Sequence, residues 1–188
     1  MFDNVTKSIR VLSAGSVEKA NSGHPGMPLG MADVGTVLYK NFLKVTNNCP
    51  DWINRDRFVL SAGHGSALLY SLLHFNGFDI SIDDMKNFRQ LNSKTPGHPE
   101  LDTKLGIDIT TGPLGQGFAT GVGLALAESY LSNTFGDKII NHFTYGIVSD
   151  GDLMEGLSQE AAELAALWGL GKLIYIFDDN NISIDGNV

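Results

Sequence analysis

The sequence is poor in cysteine, in positive charge and in long apolar runs. Cys49 is the single cysteine among 188 residues, so no internal disulfide can form. That fits a reducing compartment. Lysine and arginine number 13 against 21 aspartates and glutamates, a net charge of −8. A general nucleic-acid binder needs a basic surface for the phosphate backbone, which this balance disfavours. Phosphate ligands stay open, because a metal ion and backbone N–H groups can hold them. No apolar run reaches the about 18 residues needed to span a bilayer, so no membrane partner is expected. The opening MFDNVTKSIRVLSAGSV mixes acidic and polar residues with apolar ones and lacks a signal-peptide core. The expected location is cytoplasmic. There is no internal repeat and no low-complexity linker. Hydrophobic residues make up 43% and charged residues 18%, as in a globular protein with a substantial core.

Glycine is in excess. There are 22, about 12% of the chain against about 7% on average. They gather in SGHPGMPLG, SAGHGS, TPGHPE, TGPLGQGFATGVG and SDGDLMEG, and three of these five clusters carry a histidine. Glycine turns let a ligand approach the backbone closely, and five of them suggest one extended site.

Apolar spacing predicts helices over 4–20, 26–43, 66–77, 81–90, 116–133 and 153–170. Ser81 fits an N-cap, with Asp83 and Asp84 in the first turn. Gly77 and Gly171 read as helix ends. Strands are predicted over 57–61, 142–150 and 172–179, and 91–115 reads as loop. The last third is therefore strand, helix, strand: a βαβ unit whose two strands run parallel and end on one edge. The fold class is α/β, an open, mostly parallel three-layer sheet flanked by helices. Ligands bind at the carboxyl edge of such sheets. A strand so close to Val188 suggests an incomplete domain.

At that edge Asp150 ends the first strand, and Asp178, Asp179 and Asn180 end the second. Asp150 and Asn180 stand thirty positions apart, yet the unit can set them side by side. A carboxylate, an amide oxygen and a backbone carbonyl are hard donors that suit Mg²⁺ or Ca²⁺ and not zinc. Mg²⁺ with few protein ligands completes its octahedron with water and phosphate oxygens, so the pattern points to a metal-bound diphosphate. Gly151 leaves it room, and the following helix N-terminus offers N–H groups. Taken singly, Asp150 and Asp152 read more readily as helix caps, and DDNNISIDG as a polar turn; the joint pattern favours the metal site. Other chemistries fit less well. GPLGQG is neither a dinucleotide fingerprint nor a P-loop, and no HExxH zinc motif is present. The His64–Ser66 neighbourhood is not a nucleophile elbow. His74 reads as a helix-face or core residue, and His142 as the start of a strand.

SDGDLMEGLSQEAAELAALWGLGKLIYIFDDNNISIDG resembles the thiamine-diphosphate motif, GDG followed about thirty residues on by Asn. ANSGHPGMPLGMAD, RFVLSAGHGSALLYSLLHFNG, TPGHPE and TTGPLGQG resemble transketolase blocks in the same order. The resemblance runs through nearly all of residues 1–188, read as the diphosphate- and metal-binding domain. It implies thiamine diphosphate and Mg²⁺ (or Ca²⁺) as cofactors. Asp150, the Asn180 side chain and the Ile182 carbonyl would hold the metal. Gly151, Asn180 and His64 would touch the diphosphate. Gly112, Pro113 and Leu114 would hold the aminopyrimidine. His24 and His98 would line the reaction funnel. Glu155 and Glu160 would lie in a carboxylate network near a subunit interface. One departure is Ser149, where the motif has its first glycine; its hydroxyl needs a partner.

The resemblance implies a transketolase working as a homodimer, moving a two-carbon ketol unit from a ketose phosphate to an aldose phosphate in pentose-phosphate or Calvin-type sugar interconversion. The pyrimidine-binding domain and its activating glutamate would lie beyond Val188, so the chain alone is expected to be inactive. Two alternatives are a related thiamine enzyme (dihydroxyacetone synthase or 1-deoxyxylulose-5-phosphate synthase) and a non-catalytic cofactor-binding subunit. TPGHPE favours transketolase over the deoxyxylulose synthase.

Overall fold

A computed structural model describes residues 2–183 and 186–187. Residues 184 and 185 of the DDNNISIDG run lie outside the described residues. Eight helices are described: α1 (Phe2–Ala20), α2 (Gly26–Gly30), α3 (Ala32–Asn41), α4 (Ser66–Phe75), α5 (Ile82–Lys86), α6 (Gln116–Phe135), α7 (Asp150–Met154) and α8 (Gly156–Leu167). Strands β1 (Arg57–Leu60), β2 (Thr144–Ser149) and β3 (Leu173–Asp178) form one parallel sheet in the order β1-β2-β3. Ile182–Ser183 (β4) and Gly186–Asn187 (β5) pair antiparallel.

Helices cover both faces of the sheet. Phe58, Leu60, Tyr145 and Ile147 point into a large core with Ile9 of α1 and Leu68, Leu69, Leu72 and Leu73 of α4. Each such side chain, fully buried, stabilises the fold by about 1.5–3 kcal/mol. Val148 points the other way, toward Phe118 and Val122 of α6 and Ala161 of α8. The alternation along β2 is what a parallel strand needs between two helical layers. β3 is the less covered strand, with Ile174 and Phe177 exposed.

Helix α1 buries Thr6, Ile9, Ser13 and Ser16, one face at helical spacing. Small residues there let α4 come close: Ser13 Oγ donates to Ala67 O at 3.1 Å and meets Ser71 Oγ at 3.0 Å. α6 sits low on the sheet for a similar reason. A methyl on Gly117 would stand 2.5 Å from the Ser61 Cα, and one on Gly121 would collide with the Tyr175 hydroxyl. The Tyr175 hydroxyl donates to Phe118 O at 2.8 Å, fixing the N-terminal turn of α6 beside the sheet edge.

Several boundaries differ from the sequence expectation. The 26–43 helix is broken at Met31, which leaves helical geometry at φ −93°, ψ 5°. The 153–170 helix starts earlier, at Asp150, and breaks at Glu155, which is extended (φ −76°, ψ 132°). Its end is turned by Gly169 at φ +62°, not by Gly171. The 81–90 helix stops at Lys86, and Arg89 takes φ +62°. Its start is as expected: Ser81 and Asp84 form a reciprocal capping box. His142 precedes β2 by two residues.

Candidate functional site

The three strands deliver their carboxyl ends to one edge. β1 runs into Ser61–Ala62 and a tight 3₁₀ turn, Gly63–Gly65, that carries His64. β2 runs straight into α7, and β3 into Asp179–Asn180. Parallel register pairs Ser149 with Asp178, so the two acid-bearing ends are level.

Asp150, Asn180 and Ile182 are hydrogen-bonded neighbours there. Asp150 Oδ2 accepts from the Asn180 backbone N–H at 3.3 Å, and Asn180 Oδ1 accepts from the Ile182 N–H at 3.1 Å. Burial raises the Asp178 carboxyl above its ordinary value. A hydrogen bond from the Asn180 side chain opposes that shift, and the charges of Asp150 and Asp179 add to it. Among the described residues no three His, Cys, Asp or Glu side chains cluster as a metal site. A cation at this edge would therefore rest on one carboxylate, one amide oxygen and a carbonyl.

The glycine turns close on one another. A methyl on Gly63 would stand 2.6 Å from Thr111 Oγ1 and 3.1 Å from the Gly112 N. One on Gly112 would touch the His98 ring at 3.7 Å, and one on Gly151 would meet Leu114 Cδ1 at 3.1 Å. A methyl on Gly65 would overlap the Met27 sulfur, so α2 backs the His64 turn. Pro113, between Gly112 and Leu114, is exposed. Thr111 Oγ1 is buried without a hydrogen-bond partner, a polar atom left over beside the Gly63–Gly112 contact.

The three histidines also come together. The His24 and His64 rings meet edge to face with centroids 5.1 Å apart. Burial lowers the His64 imidazole below its ordinary value; His24 and then His98 push the same way, while Asp152 opposes them. Burial lowers His98 as well, helped by Arg89 and His24. The loop that carries His98 is pinned to α4, with Ser66 Oγ donating to Gly97 O and Tyr70 OH donating to Pro96 O, both at 2.8 Å. His74 stays outside this cluster, its Nδ1 2.7 Å from Ile80 O at the end of α4.

Residues 2–188 match one described family, the transketolase thiamine diphosphate binding domain. This chain belongs to that family. A transketolase of Bacillus subtilis is 57% identical over 184 residues, covering 96% of this chain and 28% of that protein. Transketolase 1 of Vibrio cholerae is 58% identical over 187 residues, with 98% and 28% covered. The crystal structure of the Campylobacter jejuni transketolase superposes with a TM-score of 0.96 at 54% identity, covering 100% of this chain and 29% of that one. A Pichia stipitis transketolase solved in complex with sedoheptulose-7-phosphate superposes with a TM-score of 0.94 at 49% identity, with 99% and 28% covered. The chain thus spans about 28% of the length of the transketolases it matches. All four carry the transketolase name, which does not favour the dihydroxyacetone synthase or deoxyxylulose synthase readings.

Within this transketolase domain, Asp152 is the group that sequence reasoning left as a cap. It does cap α7, in a reciprocal box with Ser149. That box supplies the partner that the Ser149 hydroxyl needed: Ser149 Oγ donates to Asp152 Oδ2 at 3.2 Å. Ser61, Thr111 and Arg89 were also missed, since nothing in their local sequence marks them. Glu155 packs its Cβ within 3.0 Å of where a Gly115 methyl would stand, and its carboxylate end is exposed, as is Glu160 on α8. Away from the edge, a cavity of about 330 Å³ opens where β3 begins, beside the Lys172–Glu128 ion pair of 2.7 Å. It is lined by none of the expected site residues.

Proposed function

We propose that this chain forms the diphosphate- and metal-binding part of a transketolase-type active site. The observation that carries the reading is the meeting of Asp150, Asn180 and Ile182 at level strand ends, next to three converging histidines. The donor set fits Mg²⁺ (or Ca²⁺), which prefers hard oxygens and retains places for water and phosphate oxygens. Asn180 is held through its own amide group, so its oxygen is aimed by Asp178 on one side and Ile182 on the other. Gly151 and the amides of α7 suit a diphosphate, and His64 stands ready to donate to it. The Gly112–Leu114 backbone, with the exposed Pro113 between, suits the aminopyrimidine edge.

When bound, thiamine diphosphate supplies a carbanion and an electron sink. This chain's residues orient it and handle protons and charge around it. His64 and His98, lowered by burial, are neutral at pH 7, so each offers one N–H donor and one acceptor nitrogen. His24 and His98 are assigned to the hydroxyl and developing oxyanion of a ketose. Losing one such donor costs about 2–4 kcal/mol in the barrier, or about 10²–10³ in rate.

The substrates of the whole enzyme are taken to be sugar phosphates, in line with the sedoheptulose-7-phosphate complex of the Pichia stipitis relative. The reaction is transfer of a two-carbon ketol unit within pentose-phosphate chemistry. The compartment is the cytoplasm, where Cys49 remains a thiol. The functional unit is a homodimer, with Glu155 and Glu160 facing the partner subunit and a pyrimidine-binding domain completing the site. The 188-residue chain alone binds cofactor and does not turn over.

Calorimetry with thiamine diphosphate, with and without Mg²⁺, tests the binding half. Asp150→Asn should abolish the Mg²⁺ dependence. Equal binding by the wild type and Asp150→Asn would overturn the reading. Turnover of a ketose phosphate and an aldose phosphate by the chain alone would overturn the assignment of a half-site.

A further inference from the structure

Asp152 is fully enclosed, at 0% exposure, whereas Asp150, Gly151 and His64 beside it are half-buried and Asn180 is exposed. Its charge is met by donors from three separate turns. Oδ1 accepts from Ser61 Oγ and from the Gly115 N–H, each at 2.9 Å. Oδ2 accepts from the Ser149 N–H at 3.1 Å and from Ser149 Oγ at 3.2 Å. Ser61 Oγ passes the link on, accepting from the Phe118 N–H at 2.9 Å. A helix cap needs the Ser149 contacts alone. The partners at Gly115 and Ser61 lie 37 and 91 positions away and add nothing to capping.

We infer that Asp152 is a positioning residue whose carboxylate cross-links the His64 turn, the Gly112–Gly115 loop and the start of α7. Each joined segment carries groups assigned to the cofactor: His64 follows Ser61 by three residues, Leu114 precedes Gly115, and Asp150 follows Ser149. Gly115 takes φ +80°, and a side chain there would collide with Ser158 and Glu155, so the loop can enter this position only as glycine. The carboxylate thereby sets the spacing between the Gly112–Leu114 backbone and Asp150. Ser149 belongs to the same device: its hydroxyl fills the fourth acceptor place, so the pair Ser149–Asp152 acts together.

An amide at 152 keeps the size and loses the symmetry. One of the two oxygens becomes an NH₂ that cannot accept, so either Ser149 or the Ser61–Gly115 side is released. This inference rests on the cofactor reading above, and the experiment separates the two. Thiamine diphosphate with Mg²⁺ is titrated calorimetrically into the wild-type chain, Asp152→Asn and Ser158→Ala. Ser158 Oγ donates to the Asp152 backbone O at 2.6 Å, so its loss loosens the same turn without touching the carboxylate. Asp152→Asn should weaken binding by about 10–100-fold, the cost typical of removing an orienting partner, while Ser158→Ala stays near wild type. In parallel, amide hydrogen exchange is followed without ligand. Asp152→Asn should speed exchange at Gly115 and Phe118 as well as at Ser149. Should Asp152→Asn fail to fold, Ser61→Ala removes one arm only, and it should weaken binding and speed exchange at Phe118. Unchanged affinity, or exchange altered only within residues 149–158, overturns the inference. A wild-type chain that binds no thiamine diphosphate overturns the cofactor reading, and the exchange data still decide the cross-link.

Discussion

Adding one methyl at Gly63 tests how tightly the site's turns depend on each other. Gly63 has no left-handed φ, so alanine costs nothing in backbone strain there. Its cost is contact. The new carbon would stand 2.6 Å from Thr111 Oγ1, 3.1 Å from Gly112 N and 3.2 Å from Thr111 C. Two of those three atoms are backbone and cannot swing aside. Restoring ordinary contact requires the Thr111 hydroxyl to rotate away and the His64 turn and the Gly112 loop to part by roughly 0.2–0.3 Å, an overpacking that typically costs about 1–3 kcal/mol. For a chain of this size each kcal/mol lowers Tm by about 2–4 °C. The displacement falls between the group assigned to the diphosphate and those assigned to the aminopyrimidine. Misplacements near 1 Å can cost about 10²-fold in function, so a shift of a few tenths of an ångström should lower thiamine diphosphate affinity about threefold to tenfold. Gly123→Ala is the matched control: nothing lies within 4 Å of its methyl, and it sits in α6. It should raise stability by about 0.5–1 kcal/mol through helix propensity and leave affinity alone. Thermal unfolding and calorimetry on both variants decide the matter. A Gly63→Ala chain with wild-type Tm and affinity would refute the close-contact reasoning.

Three further outcomes are expected. His142 is 4% exposed, and burial with the nearby Arg57 charge pushes its imidazole down to about 4. The folded chain therefore holds it neutral. Its stability contribution is intact above the ordinary value of 6.5 and drains away as pH falls toward about 4, by about 2 kcal/mol after solvent screening; urea titrations at pH 7 and 4.5 on wild type and His142→Gln measure it, and identical slopes for the two would count against it. Asp108 pairs with Arg55 at 2.5 Å, both nearly fully buried, and accepts from the Phe58 N–H at 2.8 Å. Asp108→Ala should cost about 3–5 kcal/mol by stranding the guanidinium, read by chemical unfolding; a loss under 1 kcal/mol would mean water reaches Arg55. Tyr70→Phe removes the donor to Pro96 O and should cost about 1–3 kcal/mol, with faster amide exchange across 95–99, the loop of His98.

Much of this arrangement was legible in the sequence because it is local or periodic. The apolar run of β2 ending in Asp150, the helix after it and the run of β3 ending in Asp178 define a βαβ unit from pattern alone. The N-cap at Ser81, with its box partner Asp84, spans only four residues. Glycine clusters with histidines marked the turns that meet at the edge. What stayed hidden depends on contacts far apart in the chain. Nothing near Asp152 names Ser61 or Gly115 as its donors, so local reasoning stopped at a cap. The breaks at Met31 and Glu155 each fall beside a glycine, Gly30 and Gly156, but apolar spacing runs through both, so the pattern read each pair of short helices as one. Arg89 ends α5's turn in a left-handed conformation, against the preference of its side chain, beside Gly97. The burial of His142 reflects the layers around β2, whereas its neighbours in sequence, Asn141 and Phe143, carry no sign of it.

The most direct test of the site is where a divalent cation sits. Crystals of the chain grown with thiamine diphosphate and Mn²⁺, measured at the manganese absorption edge, give the cation's position directly. The account predicts one anomalous peak about 2.0–2.3 Å from an Asp150 carboxylate oxygen, Asn180 Oδ1 and the Ile182 carbonyl oxygen. A peak lying elsewhere, with those three oxygens left to bond only within the protein, would contradict it.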